Sequence, residues 1–284
     1  MHPKFLVVLA VIAGLIIQYS CSKVSPVEAV TMEQLAIVTD DVEEAMAVEE
    51  ILDEVILDLE KYDFLKSAET CPAVSIERPE GERYPKIVTK DFGDGCETDG
   101  GTLKSGKIII TLYGPWLKEG SKRIVTFENY THRGIGIDGE KEIVCQGETE
   151  EGFYEHSIEG TIQLKKSDSL QVKRKIHKSR LLIAGAKDKD IPKEWLVSGR
   201  VRVVKSNGVT YVMKIAEPLH HIQGCKWAQS GLKVITFSGD EENDEETGPK
   251  VYIDYAYAES DKSCDRYALR WVDDEEAEVI KLKR

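Results

Sequence analysis

From about residue 71 onward, apolar side chains recur at every second position along the chain. Trp195, Val197, Val201 and Val203 alternate with Ser198, Arg200 and Arg202; Val209, Tyr211, Met213 and Ile215 alternate with Thr210 and Lys214. A period of two places successive side chains on opposite faces, which is the pattern of a strand buried on one side. Ser206-Asn207-Gly208 lies between these two runs and predicts a tight hairpin turn. Val251, Ile253, Tyr255 and Tyr257 form another apolar face, as do Tyr267, Leu269 and Trp271. Residues 106–113, 121–130 and 152–165 also read as strands, for about ten to twelve in all. No helical pattern interrupts the series, so the predicted fold is mainly β, an antiparallel meander or sandwich. Lys107–Tyr113 (KIIITLY) is apolar on both faces and reads as a central strand. Lys173, Arg174 and Lys175 within a strand leave no continuous lipid-facing set, which argues against a membrane barrel.

Before residue 71 the period lengthens. Leu35, Val38, Val42, Ala45, Leu52, Ile56 and Leu59 recur mostly at three- and four-residue steps with acids between them, which predicts one amphipathic helix over about 40–61. Thr39-Asp40-Asp41 supplies a cap and negative charge at its N-terminal end. Too few heptads are present for a coiled coil, so the apolar stripe is expected to dock on the β domain.

The first residues have a different character. Lys4 precedes Phe5–Ile17, an apolar run of thirteen residues, shorter than the roughly 20 needed to span a bilayer and suited to a signal peptide. Ser20 is a small residue before a cleavage point, and Cys21 is the expected site of lipid attachment. Gln18 stands where a lipoprotein signal commonly has Leu. The expected organisation is a signal peptide over 1–20, a tether over 21–38, a helical segment over 39–66 and a β domain over 67–284. Removal of residues 1–20 takes away one basic side chain and no acid, so the formal charge passes from −13 to −14. Such a surface disfavours nucleic acid and adsorption to anionic lipid, and leaves anchoring to the lipid on Cys21. Five cysteines then remain. Cys71 with Cys96 and Cys225 with Cys264 each bracket one hairpin-length stretch and are the expected disulfides, with Cys145 left over. Spacing alone leaves other connectivities open.

Several short motifs occur together here: Cys71-Pro72-Ala73-Val74, Tyr84-Pro85-Lys86-Ile87-Val88, Asp91-Phe92-Gly93-Asp94-Gly95-Cys96, 106–111 (GKIIIT) and 125–130 (VTFENY). With the acidic helix before them, and Cys225-Lys226-Trp227 and Cys264-Asp265 near the end, the chain resembles a family of uncharacterised Bacteroidetes lipoproteins. The resemblance covers most of the mature chain. It implies a cell-envelope compartment and a β-rich architecture, with no assigned activity.

Candidate chemistry is sparse. Residues 101–107 (GTLKSGK) match the start of a phosphate-binding loop, but Ile108 stands where a magnesium-holding Ser or Thr is required and a strand follows. Asp91, Asp94, Glu97 and Asp99, and the run 240–246, are acidic turns where weak calcium binding is conceivable, and charged solvated loops are the simpler reading. His220 and His221 near Cys225 suggest a metal, yet adjacent strand residues face opposite ways. His132, His156 and His177 stand isolated. Glu194 and Asp254 are conceivable glycosidase carboxylates, and Tyr113, Trp116, Tyr130, Tyr255 and Tyr257 a conceivable sugar-stacking face. Asn129-Tyr130-Thr131 and Asp168-Ser169-Leu170 match glycosylation acceptors only by their letters. No catalytic residue, cofactor or metal site is expected. The expected function is a membrane-anchored envelope lipoprotein of the outer membrane, facing either the periplasm or the medium. It would have a non-enzymatic binding or structural role, with a glycan or an envelope protein as partner. A glycan hydrolase and a carrier of an apolar ligand are the alternatives.

Overall fold

The computed structural model describes residues 71–98, 101–165, 170–188, 190–225, 227–238, 248–256, 264 and 266–282. Cys21, the signal segment and the predicted helix over 40–61 lie outside the described residues. The described part forms fourteen antiparallel strands in one sheet. They are β1 (Ala73–Glu77), β2 (Lys86–Asp91), β3 (Cys96–Glu97), β4 (Leu103–Leu112), β5 (Lys122–His132), β6 (Ile135–Glu148) and β7 (Tyr154–Lys165) in the first half. The second half comprises β8 (Gln171–Ala184), β9 (Glu194–Lys205), β10 (Thr210–Ile222), β11 (Ser230–Ser238), β12 (Lys250–Asp254), β13 (Tyr267–Val272) and β14 (Glu278–Lys281). Pairing runs from β1 through β2 and β4 and then in sequence order to β14, with β3 as a spur on β4.

The meander is therefore confirmed, and the alternative of two separately paired sheets is corrected. Short connections let each strand pair with the one before it, so the hydrogen-bond ladder never breaks into two. Strands outnumber the expected ten to twelve because β1, β3 and β14 are too short to display a period.

Register defines an inner face. Val88 faces Ile110, and Ile110 faces Val125 across β2, β4 and β5. Further along the same row Val201 faces Met213, Met213 faces Ile235, and Ile235 faces Val251. All of these are buried in one continuous apolar cluster. Open sheets beyond about ten strands curl rather than lie flat, which turns such a face inward. Lys141 lies in the same row, facing Val125, and is as buried as its apolar neighbours.

β13 departs from the sequence reading. Ala268 and Val272 are its buried positions, while Tyr267 is exposed and Leu269 and Trp271 are half-buried. Pairing decides this: Val272 faces Val251 and Arg270 faces Ile253, which fixes the parity of β13 by that of β12. The aromatic positions go outward, where Trp271 stacks on Tyr252 with ring centroids 5.0 Å apart.

Two glycines permit the backbone path. Gly106 has φ +73° and sits at a bulge in β4 opposite Glu128 and Asn129, where a Cβ would fall 2.2 Å from the Asn129 carbonyl oxygen. This explains a glycine that the phosphate-loop motif had claimed. Gly199, in the middle of β9, has φ +119°, and a Cβ there would fall 2.3 Å from the His177 carbonyl oxygen on β8.

Candidate functional site

Among the described residues, a cluster of chemically capable side chains gathers around Trp116 and His156. The connection between β4 and β5 is tied to β6 by two backbone hydrogen bonds, Gly120 N–H to the Cys145 carbonyl and Cys145 N–H to the Ser121 carbonyl, both 2.9 Å. That tie carries Trp116 over the inner face. Its indole stacks on the His156 imidazole, with centroids 3.9 Å apart and an interplanar angle of 16°. The Arg123 guanidinium lies 3.9 Å from the Trp116 ring centroid and that of Arg180 lies 5.7 Å from it. Arg180 also lies 5.2 Å from the Trp195 ring, and Trp195 stacks on His221. Cations and aromatic faces thus alternate across β5, β7, β8, β9 and β10, an arrangement favoured by the ring quadrupoles.

Cys145 on β6 is the cross-strand partner of His156 on β7. A thiol beside an imidazole invites a nucleophilic reading. The protonation states oppose it. His156 has no exposed surface, its Nε2 lies 3.2 Å from the Trp116 carbonyl oxygen, and its Nδ1 has no hydrogen-bond partner. Burial pushes its pKa from 6.5 down to about 4; the Trp116 carbonyl opposes this and the charges of Arg180 and Arg123 reinforce it. The imidazole is neutral at pH 7, and Nε2 donates to the carbonyl. Burial also raises the pKa of the Cys145 thiol, so the reactive thiolate is disfavoured. This pair is a packed unit under Trp116.

Two results follow. Cys145 should react with a thiol reagent at least a hundredfold more slowly in the native protein than in denaturant, as measured by labelling and intact mass. His156 should make stability depend on acid. Between pH 6.5 and 4 the unfolded chain binds a proton that the folded chain excludes. Stability is therefore full above pH 6.5, falls through this window and levels off below it, by about 3 kcal/mol in total. Urea unfolding of the wild type and of His156→Gln at pH 7.5, 5.5 and 4 checks this; the variant should lose most of this acid-dependent slope.

The other candidates are dispersed. His220 and His221 face opposite sides: His220 Nε2 lies 2.9 Å from Glu194 on the outer face, while His221 points inward to Trp195. Cys225 is bonded to Cys264, with Cα atoms 4.9 Å apart, and Cys71 is bonded to Cys96, with Cα atoms 5.9 Å apart. Both pairings match expectation, and Cys145 is the free thiol among the described residues. Glu194 on β9 and Asp254 on β12 are separated by β10 and β11, roughly 14 Å along the sheet, too far for a glycosidase pair. Tyr113 is exposed, Tyr130 and Tyr255 are buried, Trp116 faces inward and Tyr257 lies outside the described residues, so they form no common sugar-stacking face. Asp91 accepts the Gly93 N–H and lies 4.0 Å from Lys107, which also reaches Glu128 at 3.3 Å. Asp99, Ser169 and the acidic run 240–246 lie outside the described residues. Among the described residues no three His, Cys, Asp or Glu side chains converge on a possible metal position.

Sequence reasoning missed the Trp116–His156–Arg180 stack, whose members are separated by 40 and 24 positions in the chain. The usable signal was polar residues at strand positions where the period demands apolar ones: Arg123, His156 and Arg180 all occupy inner-face positions. Comparison with protein-family models, curated proteins and solved structures finds no match to this chain.

Proposed function

We propose that this protein is a cell-envelope lipoprotein, anchored through Cys21, with a non-enzymatic binding or structural role. The observation that carries the proposal is the cysteine pattern: four cysteines bridged in pairs and the fifth sealed beside His156. Stable bridges belong to oxidising compartments, which is where a chain with this N-terminal segment would be delivered. In this reading residues 39–66 form the amphipathic helix between the tether and the sheet. A binding or structural role is supported by the long two-faced sheet and by the state of its most chemically capable pair, a neutral imidazole and a protonated thiol under an indole. Glycan or envelope-protein contact would fall on the outer face, where Tyr252 and Trp271 stack in parallel, half-exposed.

The test is expression in a bacterial host with lipoprotein processing, comparing the wild type with Cys21→Ala. The wild type should fractionate with membranes and carry an acyl mass increment on a chain starting at residue 21; the variant should lose both. A chain that keeps residues 1–20, or a membrane association unaffected by Cys21→Ala, would overturn the anchor. Loss of its specific retention on glycan arrays or envelope pull-downs when Tyr252 and Trp271 are replaced by alanine would support the binding role. Turnover of any retained glycan would overturn the non-enzymatic one.

A further inference from the structure

Nine lysine and arginine side chains are buried among the described residues. Six are lysines: Lys86 and Lys90 on β2, Lys104 on β4, Lys141 on β6, Lys205 on β9 and Lys233 on β11, each 4–8% exposed. Arg123, Arg174 and Arg180 complete the set. Register places them among the inner apolar residues. Lys90 faces Ile108, Arg174 faces Val203, Lys205 faces Val172 and Lys233 faces Ile253. Each of the nine is engaged in a polar, charged or ring interaction.

Cations buried this deeply are retained only where anionic or strongly polar groups meet them. The strands send their acids the other way. Glu128 and Glu142 pair with Lys107 and Lys122 on the outer face, Glu155 accepts from Ser179, and Glu159 lies near His177. At the margins Glu148 joins exposed Lys187, and Glu278 joins Arg270. These acids thus face outward, while nine of the cations lie among the inner apolar residues.

One stretch of the chain has the complementary composition. Residues 40–60 hold ten acids and no lysine or arginine, interleaved with Val42, Ala45, Leu52, Ile56 and Leu59. As a helix this stretch would extend about 30 Å, the width of six to seven strands at about 4.8 Å spacing. Cys71 is fixed beside β1 by its bridge to Cys96, and the residues between 60 and 71 can span about 35 Å, enough to bring the stretch to the inner face.

We propose that residues 40–60 occupy the inner face of the sheet, their carboxylates meeting the buried lysines and arginines and their apolar side chains meeting the inner apolar rows. The proposal takes its helix from the functional reading above and adds where that helix lies. It holds whether or not Cys21 carries lipid, and its readouts are independent of acylation. The segment would then be an internal part of the fold, with the membrane tether starting before it.

The test is amine-reactive labelling of the mature chain, read by peptide mass spectrometry. In the wild type the six inner lysines should react at least tenfold more slowly than exposed Lys173 and Lys175. In a variant with all ten acids of 40–60 changed to their amides, the inner lysines should gain at least tenfold in rate while Lys173 and Lys175 stay unchanged. Inner lysines that remain protected in that variant would overturn the proposal. Should the variant fail to fold, carbodiimide cross-linking of an isotope-mixed wild-type sample decides. Amides between the inner lysines and acids of 40–60 within one chain support the proposal. Cross-links only between chains, or only to acids elsewhere, overturn it. An anionic amphiphile released from the native protein in stoichiometric amount by mass spectrometry would overturn it in favour of a bound ligand.

Discussion

Gly199→Val is expected to cost about 4 kcal/mol or more and to leave little native protein at room temperature. Two independent penalties set this cost. A Cβ at this position would lie 2.3 Å from the His177 carbonyl oxygen and 2.6 Å from the Lys178 Cα, both backbone atoms of β8 that no rotamer change can move. Its φ of +119° is also a region that a β-branched residue cannot adopt without strain. Since β9 is hydrogen-bonded to β8 and β10 along most of its length, displacement at Gly199 would propagate into both ladders. Gly208→Ala is the control. That residue, in the turn between β9 and β10, also has positive φ but no atom within 4 Å of the added Cβ, so the expected loss is about 1 kcal/mol. Urea unfolding followed by tryptophan fluorescence compares the two. Equal midpoints for Gly199→Val and the wild type would mean that β8 and β9 do not approach so closely at this point.

The second large effect is expected on opening the disulfides. Cys71 and Cys96 are 25 residues apart, and Cys225 and Cys264 are 39 apart. Closing loops of these lengths removes conformational freedom from the unfolded chain worth about 3–4 kcal/mol per bridge in the chain-entropy description. The two bridges secure different ends of the meander. The first ties the start of β1 to the β3 spur, and the second ties the segment after β10 to the approach to β13. Paired Cys→Ala substitutions at each bridge, unfolded thermally with and without a reductant, separate the contributions. A reductant should lower the midpoint of the wild type and leave a variant lacking both bridges unchanged. An unaffected wild type would show that the cysteines are not bridged.

Cysteine spacing favoured the two bridges, because each pair brackets a stretch no longer than a hairpin or two, and the structure selects them among the open connectivities. The strands β9 and β12 were legible for a different reason: apolar and polar positions alternate along each, and the apolar set is the buried one. β13 misled for a physical reason too. Tyr267, Leu269 and Trp271 are the larger apolar residues of that strand, but hydrogen bonding to β12 imposes the opposite parity, and the aromatic face finds Tyr252 on the outside. Local pattern cannot outweigh register when a whole ladder depends on it.

The candidate site shows the same division. His156 read as an isolated histidine because nothing near it in sequence hints at Trp116, forty positions earlier. Their contact exists because the β4–β5 connection is tied to Cys145 on β6, which brings the indole over the next strand. The basic run Lys173, Arg174 and Lys175 was visible as letters, without its facing. The alternation sends Arg174 inward and leaves Lys173 and Lys175 exposed.

By itself the sequence determined that this chain is mainly antiparallel β, and it favoured one cysteine pairing among several that spacing left open. It could do so because period two, turn residues and cysteine spacing are local properties written over a few consecutive positions. Only the tertiary structure decided that the strands form one unbroken sheet, that β13 turns its aromatics outward, and that Cys145, His156 and Trp116 share one sealed position. It also decided which lysines and arginines of the strands are buried on the inner face and which stay outside. Those outcomes depend on which residues face each other across hydrogen-bonded strands, and that pairing links positions tens of residues apart that no local pattern connects.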